Sequence, residues 1–282
     1  MMVNRAVRWL GRKLRRVLRP VRLAASNSAP GDIRFEGDYA SWEAAAIDCC
    51  GYESLHIADR VLRATCSVLN GEFAYERDSV CFLTPEYNWS LLACLLHVAA
   101  ARNGHLRVLD FGGSLGSTFL QHRVFFEGLR GVDWRIVEQD SFVERGKTAM
   151  SLFPQAKGLT FHSNVSTGLE AGPVDVLLLG SVLQYLADPI AELKALLEFG
   201  FDWILLDRTA VLRGDSRCLL TVQHVPATVY EARYPAWFIA RERLMHSFQD
   251  KYKMLAEWTC SDKYSVSRGQ SEFIGCCFRR NA

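Results

Sequence analysis

The chain has 282 residues, of which 49% are hydrophobic and 23% charged, the balance of a globular protein with enough apolar surface for one large core. No apolar segment reaches the ~18 residues that span a bilayer, and the N-terminus lacks the uninterrupted apolar run of a secretory signal. The formal net charge of +2 hides an asymmetry: residues 1–31 carry eight Lys or Arg and no acid, while the rest carries 25 basic against 31 acidic side chains.

The basic segment, "VNRAVRWLGRKLRRVLRPVRL", has helical spacing. Val3, Val7, Leu10, Leu14, Val17 and Val21 fall on one stripe and Arg5, Arg8, Arg12, Arg15 and Arg19 on another, interrupted by Gly11 and Pro20. Such a helix can lie on an anionic membrane surface through residues 1–23; a solvated tail and an organellar transit peptide are the alternatives. With Trp9 as its sole aromatic, the arm lacks the stacking platforms of a nucleic-acid binder, so no nucleic-acid partner is expected. The nine cysteines form no C-x-x-C pair and no Cys/His ligand cluster. They read as small buried residues in a reducing compartment, with neither metal nor disulfide.

"AASNSAPGD", Ala24 to Asp32, has linker composition. The pattern then predicts a helix over "YASWEAAAIDCCGY" ending at Gly51 and a second over "HIADRVLRATCSVLNG" ending at Gly71. A third is expected to start at Thr84 as N-cap with Pro85 in the first position and to stop at Asn103–Gly104. From Leu106 strands and helices alternate: "LRVLDF", "WRIVEQ", "LTFHS", "VDVLLLGS" and "DWILLDRT" are five short buried strands. Ser141 with Glu144 has capping-box spacing, and Asp188–Pro189 opens a helix closed by Gly200. Alternation of this kind predicts a parallel sheet flanked by helices. "KYKMLAEW" and "SEFIGCCFRR", with only a loop between them, predict an antiparallel hairpin at a sheet edge. The organisation expected is a basic arm and linker over 1–31, a helical region over 32–104, and a Rossmann-like α/β domain over 105–282.

In an open parallel sheet the ligand sits at the strand C-termini. Here these hold Asp110 with Gly112, Gly113, Ser114 and Gly116; Glu138 and Gln139; Asn164; Ser181, Val182 and Tyr185; and Asp207. The glycine turn lacks the Lys of a phosphate-gripping P-loop, and Ser117 stands where a dinucleotide fingerprint has its third glycine. What remains is D-x-G-x-S-x-G, a variant of the acidic, glycine-rich turn of S-adenosylmethionine-dependent methyltransferases, whose glycines let the backbone approach the cofactor. Glu138 suits both ribose hydroxyls. Each of these residues also has a bland role, as a tight turn or a helix cap.

"SWEAAAIDCCGY", "AYERD", "VLDFGGSLGSTFLQHR", "VEQDSFVERGK", "LLLGSVLQYLADP", "LLDRTAV" and "LTVQHVPATVYEARYPAWFI" resemble consecutive motifs of a family of bacterial methyltransferases. The resemblance covers roughly residues 39–248. It implies the class I methyltransferase fold, with sheet order 3-2-1-4-5-7-6 and the last strand antiparallel. It also implies S-adenosyl-L-methionine as cofactor and a setting in surface polysaccharide and lipopolysaccharide synthesis. A small-molecule or lipid-linked glycan acceptor follows from that setting, with the enzyme cytoplasmic or peripheral on the cytoplasmic membrane face. Cofactor contacts are then expected from Asp110, Gly112, Gly113, Ser114, Gly116, Glu138, Gln139, Asn164, Ser181 and Val182. A sugar hydroxyl needs a base, for which His224 and Asp207 are candidates. Tyr185 would line the methyl channel, and "YEARYPAWF" would form an acceptor lid or a packed loop. Two alternatives stay open: an NAD-dependent nucleotide-sugar oxidoreductase or epimerase, and a catalytically silent, membrane-docked scaffold with the same fold.

Overall fold

The computed structural model describes residues 33–47, 49, 55–227 and 229–281. The basic arm and the expected helix end at Gly51 lie outside the described residues.

Strand β1 (Arg34–Glu36) and helices α1 (Trp42–Ala46) and α2 (Leu55–Leu69) come first. They are followed by the hairpin β2 (Tyr75–Arg77) and β3 (Val80–Phe82) and by helix α3 (Trp89–Ala101). The alternating part runs β4 (His105–Phe111), α4 (Ser117–His122), β5 (Gly131–Val137), α5 (Asp140–Met150), β6 (Leu159–His162), α6 (Val165–Glu170), β7 (Val176–Gly180), α7 (Pro189–Glu198) and β8 (Trp203–Arg213). Then come β9 (Leu219–Val225), β10 (Ala232–Ala240), α8 (Arg241–His246), β11 (Tyr252–Thr259) and β12 (Gln270–Arg280).

Strands β4 to β8 are mutually parallel, in the order β6-β5-β4-β7-β8, and β12 joins β8 antiparallel with β11 outside it. Numbered by rank among these seven strands, the order is 3-2-1-4-5-7-6 with the seventh antiparallel, the Rossmann-like class I methyltransferase topology. The strands read as apolar runs because helices or further chain cover both faces; Val176, Leu177, Leu178 and Leu179 of β7 are all buried. One face packs α2, α3 and α5 through Ile57, Leu95 and Phe142, and the other packs α7 through Leu193 in a cluster that includes Phe278 of β12.

Several local expectations change. Helix α3 starts at Trp89, not near Thr84, because the Asn88 side chain accepts the Leu91 amide at 3.1 Å. Helix α5 begins at Asp140 after Gln139, so Ser141 sits inside it and is not its cap. Asp188 does cap α7, accepting from the Ala191 amide at 3.0 Å. Region 32–104 is not only helical: it contains β1 and the β2–β3 hairpin, whose turn residues Asp78 and Ser79 are both left-handed, with φ of 52° and 66°. That is the turn that matches strand twist in a two-residue hairpin.

The largest departure is "YEARYPAWF", expected as an acceptor lid or a packed loop. From Ala232 on it lies in β10, which with β9 extends the sheet through an antiparallel β1-β9-β10 set. β10 touches β8 only at Ile239 and Ala240, where β8 outruns β7. Pro235 therefore lies along an edge where no amide donor is required.

Candidate functional site

The turn after β4 is shaped by contacts to the segment that follows β7. Gly112 has φ of 75°, and a Cβ there would stand 2.4 Å from Val182 Cγ2. A Cβ on Gly113 would stand 2.5 Å from the Asp110 carboxyl carbon, so glycine lets the turn fold down over that carboxylate. Ser114 takes a left-handed φ of 54°, and Gly116 leads into α4. Asp110 is buried and accepts a 2.9 Å hydrogen bond from the Trp134 indole. Burial pushes it up to about 7, against the pull of Trp134 and with a further push from Glu138.

Glu138 ends β5. Its Oε2 accepts the Gln139 amide at 2.7 Å, and the Ser114 amide also donates to the carboxylate. Burial raises this carboxyl too, while the two amides hold it down. Ser181 has φ of 55°, donates its amide to the Asp207 carbonyl at 2.8 Å, and receives the Gln184 side chain on its hydroxyl at 3.0 Å. Asp110, Gly112, Gly113, Ser114, Glu138, Gln139, Ser181 and Val182 all line one cavity of about 1560 Å³. Gly116 sits behind it, where a Cβ would meet Leu159 and Ile136. Asn164 does not line the cavity: it is exposed and caps α6, accepting the Thr167 amide at 2.9 Å. Its neighbour Ser163 is the wall residue at the end of β6.

The far half of the cavity changes the expected catalytic set. Tyr185 lines it, donating its hydroxyl to Gln223 at 2.8 Å and standing edge-on to Tyr234 with ring centroids 5.3 Å apart. Burial raises the phenol far above its ordinary value, so near neutrality it is a donor and not a base. His224 is not in the wall. Side chains alternate along β9, so Gln223 and Val225 face the cavity while His224 faces away, its Nε2 3.5 Å from Glu36 on β1. Asp207 is also outside: buried on β8, it accepts from the Asn88 amide group at 2.8 Å and the Trp258 indole at 3.3 Å. Burial raises its pKa, while Arg208, Asn88 and Trp258 hold it down. It fastens the start of α3 and β11 to β8.

The wall instead receives Arg208, whose φ of 48° breaks the extended conformation of β8. Its guanidinium stands 3.6 Å from Asp78 at the β2–β3 turn and 3.7 Å from Asp262 in the β11–β12 loop. Asp78, Asp262, Gln223 and Tyr234 were not singled out from the sequence. "AYERD" and "LTVQHVPATVYEARYPAWFI" carried three of them, Asp78, Gln223 and Tyr234, as motif letters, without a signal that they meet.

No protein-family model matches the chain, and no curated protein matches it. Among solved structures, the chain is similar to the N-terminal domain of EvdMO1 in the presence of SAH and D-fucose, at 16% identity over 73% of this chain and 90% of that one, TM-score 0.47. It is also similar to the SAM-bound magnesium protoporphyrin IX methyltransferase of Synechocystis PCC 6803, at 13% identity over 82% and 87%, TM-score 0.45. A third is CalS10, an amino pentose methyltransferase from Micromonospora echinaspora, at 13% identity over 68% and 91%, TM-score 0.41.

Proposed function

We propose that this chain is an S-adenosyl-L-methionine-dependent methyltransferase. Its cofactor would lie across Asp110, the Gly112–Gly116 turn, Glu138, Gln139, Ser181 and Val182. The observation that carries this reading is the charge of that end of the cavity. Two carboxylates, Asp110 and Glu138, face a glycine turn with no Lys or Arg beside it. A dinucleotide would bring a pyrophosphate to that turn, next to two acids. A sulfonium cofactor brings a positive charge and a ribose diol, which a carboxylate already set by two backbone amides can accept. When bound, that cofactor supplies an activated methyl group.

The chain's own part is alignment. Ligand pockets commonly measure ~300–1,000 Å³, so a cavity of about 1560 Å³ has room for an acceptor beside the cofactor. Tyr185 and Gln223 fix polar atoms between the two halves. The acceptor class that fits the sequence motifs is a sugar or other hydroxylic intermediate of bacterial surface glycan synthesis, small or lipid-linked. Residues 1–23 would then hold the enzyme at the anionic cytoplasmic membrane face, close to that acceptor. No helix among the described residues is long and apolar enough to cross a membrane.

Calorimetry with S-adenosylhomocysteine tests the cofactor site. Glu138→Ala should weaken binding by ~1.5–3 kcal/mol, the value of a hydrogen bond to a charged group. No binding to the wild type, or equal binding to the variant, overturns the assignment. Sedimentation with anionic and neutral liposomes tests the arm: binding should require anionic lipid and fall with salt.

A further inference from the structure

Among the described residues of the far cavity half, Arg208 has incomplete bonding that points to a ligand. Its Nε is shielded from solvent and makes no hydrogen bond. Its two carboxylate neighbours, Asp78 and Asp262, are close enough to attract it at 3.6 and 3.7 Å but make no hydrogen bond with it. A buried donor left in this state is costly, and the rest of the Arg208 side chain, 25% exposed, lines the cavity with no hydrogen bond of its own. The arrangement is built and not accidental. Gln184 donates to the Arg208 carbonyl at 3.1 Å and to Ser181 on the cofactor side at 3.0 Å, fixing the strained backbone that turns Arg208 inward. Asp78 arrives on a left-handed hairpin turn that the buried Glu76 ties to Ser117 of α4.

We propose that Asp78, Arg208 and Asp262 form a clamp for two neighbouring hydroxyl groups of an uncharged acceptor. The proposal rests on the methyltransferase reading for the word acceptor, but not for the binding chemistry. Acid, guanidinium and acid in a row present acceptor, donor and acceptor. A hydroxyl both donates and accepts, so one placed between Arg208 and either carboxylate satisfies both. Two adjacent hydroxyls satisfy the whole row. A phosphate or carboxylate has no proton to give Asp78 or Asp262 and meets their charge. An ammonium has no lone pair for Arg208. The wider wall is balanced, with Arg77, Arg208 and Lys263 against Asp78, Glu86 and Asp262, so it draws neither sign. Tyr185, Tyr234 and Tyr264 line the same space and supply aromatic surface, against which the C–H side of a pyranose can pack.

The test is saturation-transfer NMR on the full chain, with and without S-adenosylhomocysteine. The probes are a set of methyl pyranosides covering the hexose configurations, with the matching uronates and 6-phosphates. At least one neutral glycoside should bind, and its deoxy analogue lacking either clamped hydroxyl should bind roughly tenfold more weakly or worse. Asp78→Asn and Asp262→Asn should each cause a loss of similar size. Asn tolerates the left-handed turn at position 78, so that variant keeps its fold, which circular dichroism verifies. Binding of no neutral glycoside, tighter binding of a uronate or phosphate, or wild-type binding by both variants overturns the clamp. Glycoside binding without S-adenosylhomocysteine binding would refute the methyltransferase reading and leave the clamp standing. The converse would refute the clamp alone.

Discussion

Glu76 couples the hairpin that carries Asp78 to the helix behind the glycine turn, and its titration makes that coupling measurable. The residue is 3% exposed; Oε2 accepts the Ser79 amide at 3.1 Å and Oε1 the Ser117 hydroxyl. Burial raises the carboxyl from 4.5 to about 7; the Ser117 hydroxyl pulls it down, Asp78 pushes it up, and the Ser79 amide pulls it down. A raised carboxyl pKa means that between these two values the folded chain keeps a proton the unfolded chain releases. The wild type therefore loses stability as pH rises through that window, and the span amounts to ~3 kcal/mol at most. Glu76→Gln has the same shape and no charge. Its carbonyl can accept the Ser79 amide and its NH₂ can donate to the Ser117 oxygen. Urea unfolding, followed by tryptophan fluorescence in reductant at several pH values, gives the difference between variant and wild type. Asp110, Glu138 and Asp207, whose pKa values are also raised, are common to both proteins and largely cancel. The difference should be near zero around pH 4.5 and favour the variant by ~1–3 kcal/mol above pH 7. A difference that stays flat across the window would falsify the burial of an ionisable Glu76 against Ser117.

Gly112→Ala places a methyl 2.4 Å from Val182 in a left-handed backbone; S-adenosylhomocysteine affinity should fall roughly five- to a hundredfold, since strain of ~1–3 kcal/mol falls on the binding turn. His224→Ala removes a partly exposed side chain outside the cavity, so methyl transfer should be unchanged and stability should move by less than ~1 kcal/mol; a large drop in turnover at intact cofactor affinity would place His224 back in the chemistry. Asp207→Ala leaves the Asn88 amide group and the Trp258 indole without their shared acceptor; urea unfolding should report a loss of ~2–4 kcal/mol, and a neutral result would mean that this carboxylate does not fasten α3 and β11.

The parallel strands were legible because burial on both faces writes them as apolar runs, and their ends because polar residues stop those runs: Asp110 after "RVL", Glu138 after "RIV", Ser181 after "VLLLG". The terminal hairpin was legible from two strands with no helix between. What the sequence hid has two physical causes. One is distance along the chain: Asp78, Arg208 and Asp262 share a wall although 130 and 54 residues separate them, and no local period records such a meeting. The other is parity. In a strand, one residue decides the face, so "QH" in β9 puts Gln223 into the cavity and His224 against β1. In β8 the same rule is broken by a backbone event, the left-handed Arg208. Residue chemistry favoured His224 and Asp207 as bases; the pleat of β9 and the left-handed backbone of β8 gave the cavity their neighbours instead. A search for an acceptor-side base in this chain should therefore begin with the carboxylates that flank Arg208. Of the two, Asp262 has the side chain more withdrawn from solvent, 18% exposed against 52% for Asp78, and so is the better shielded from competing water.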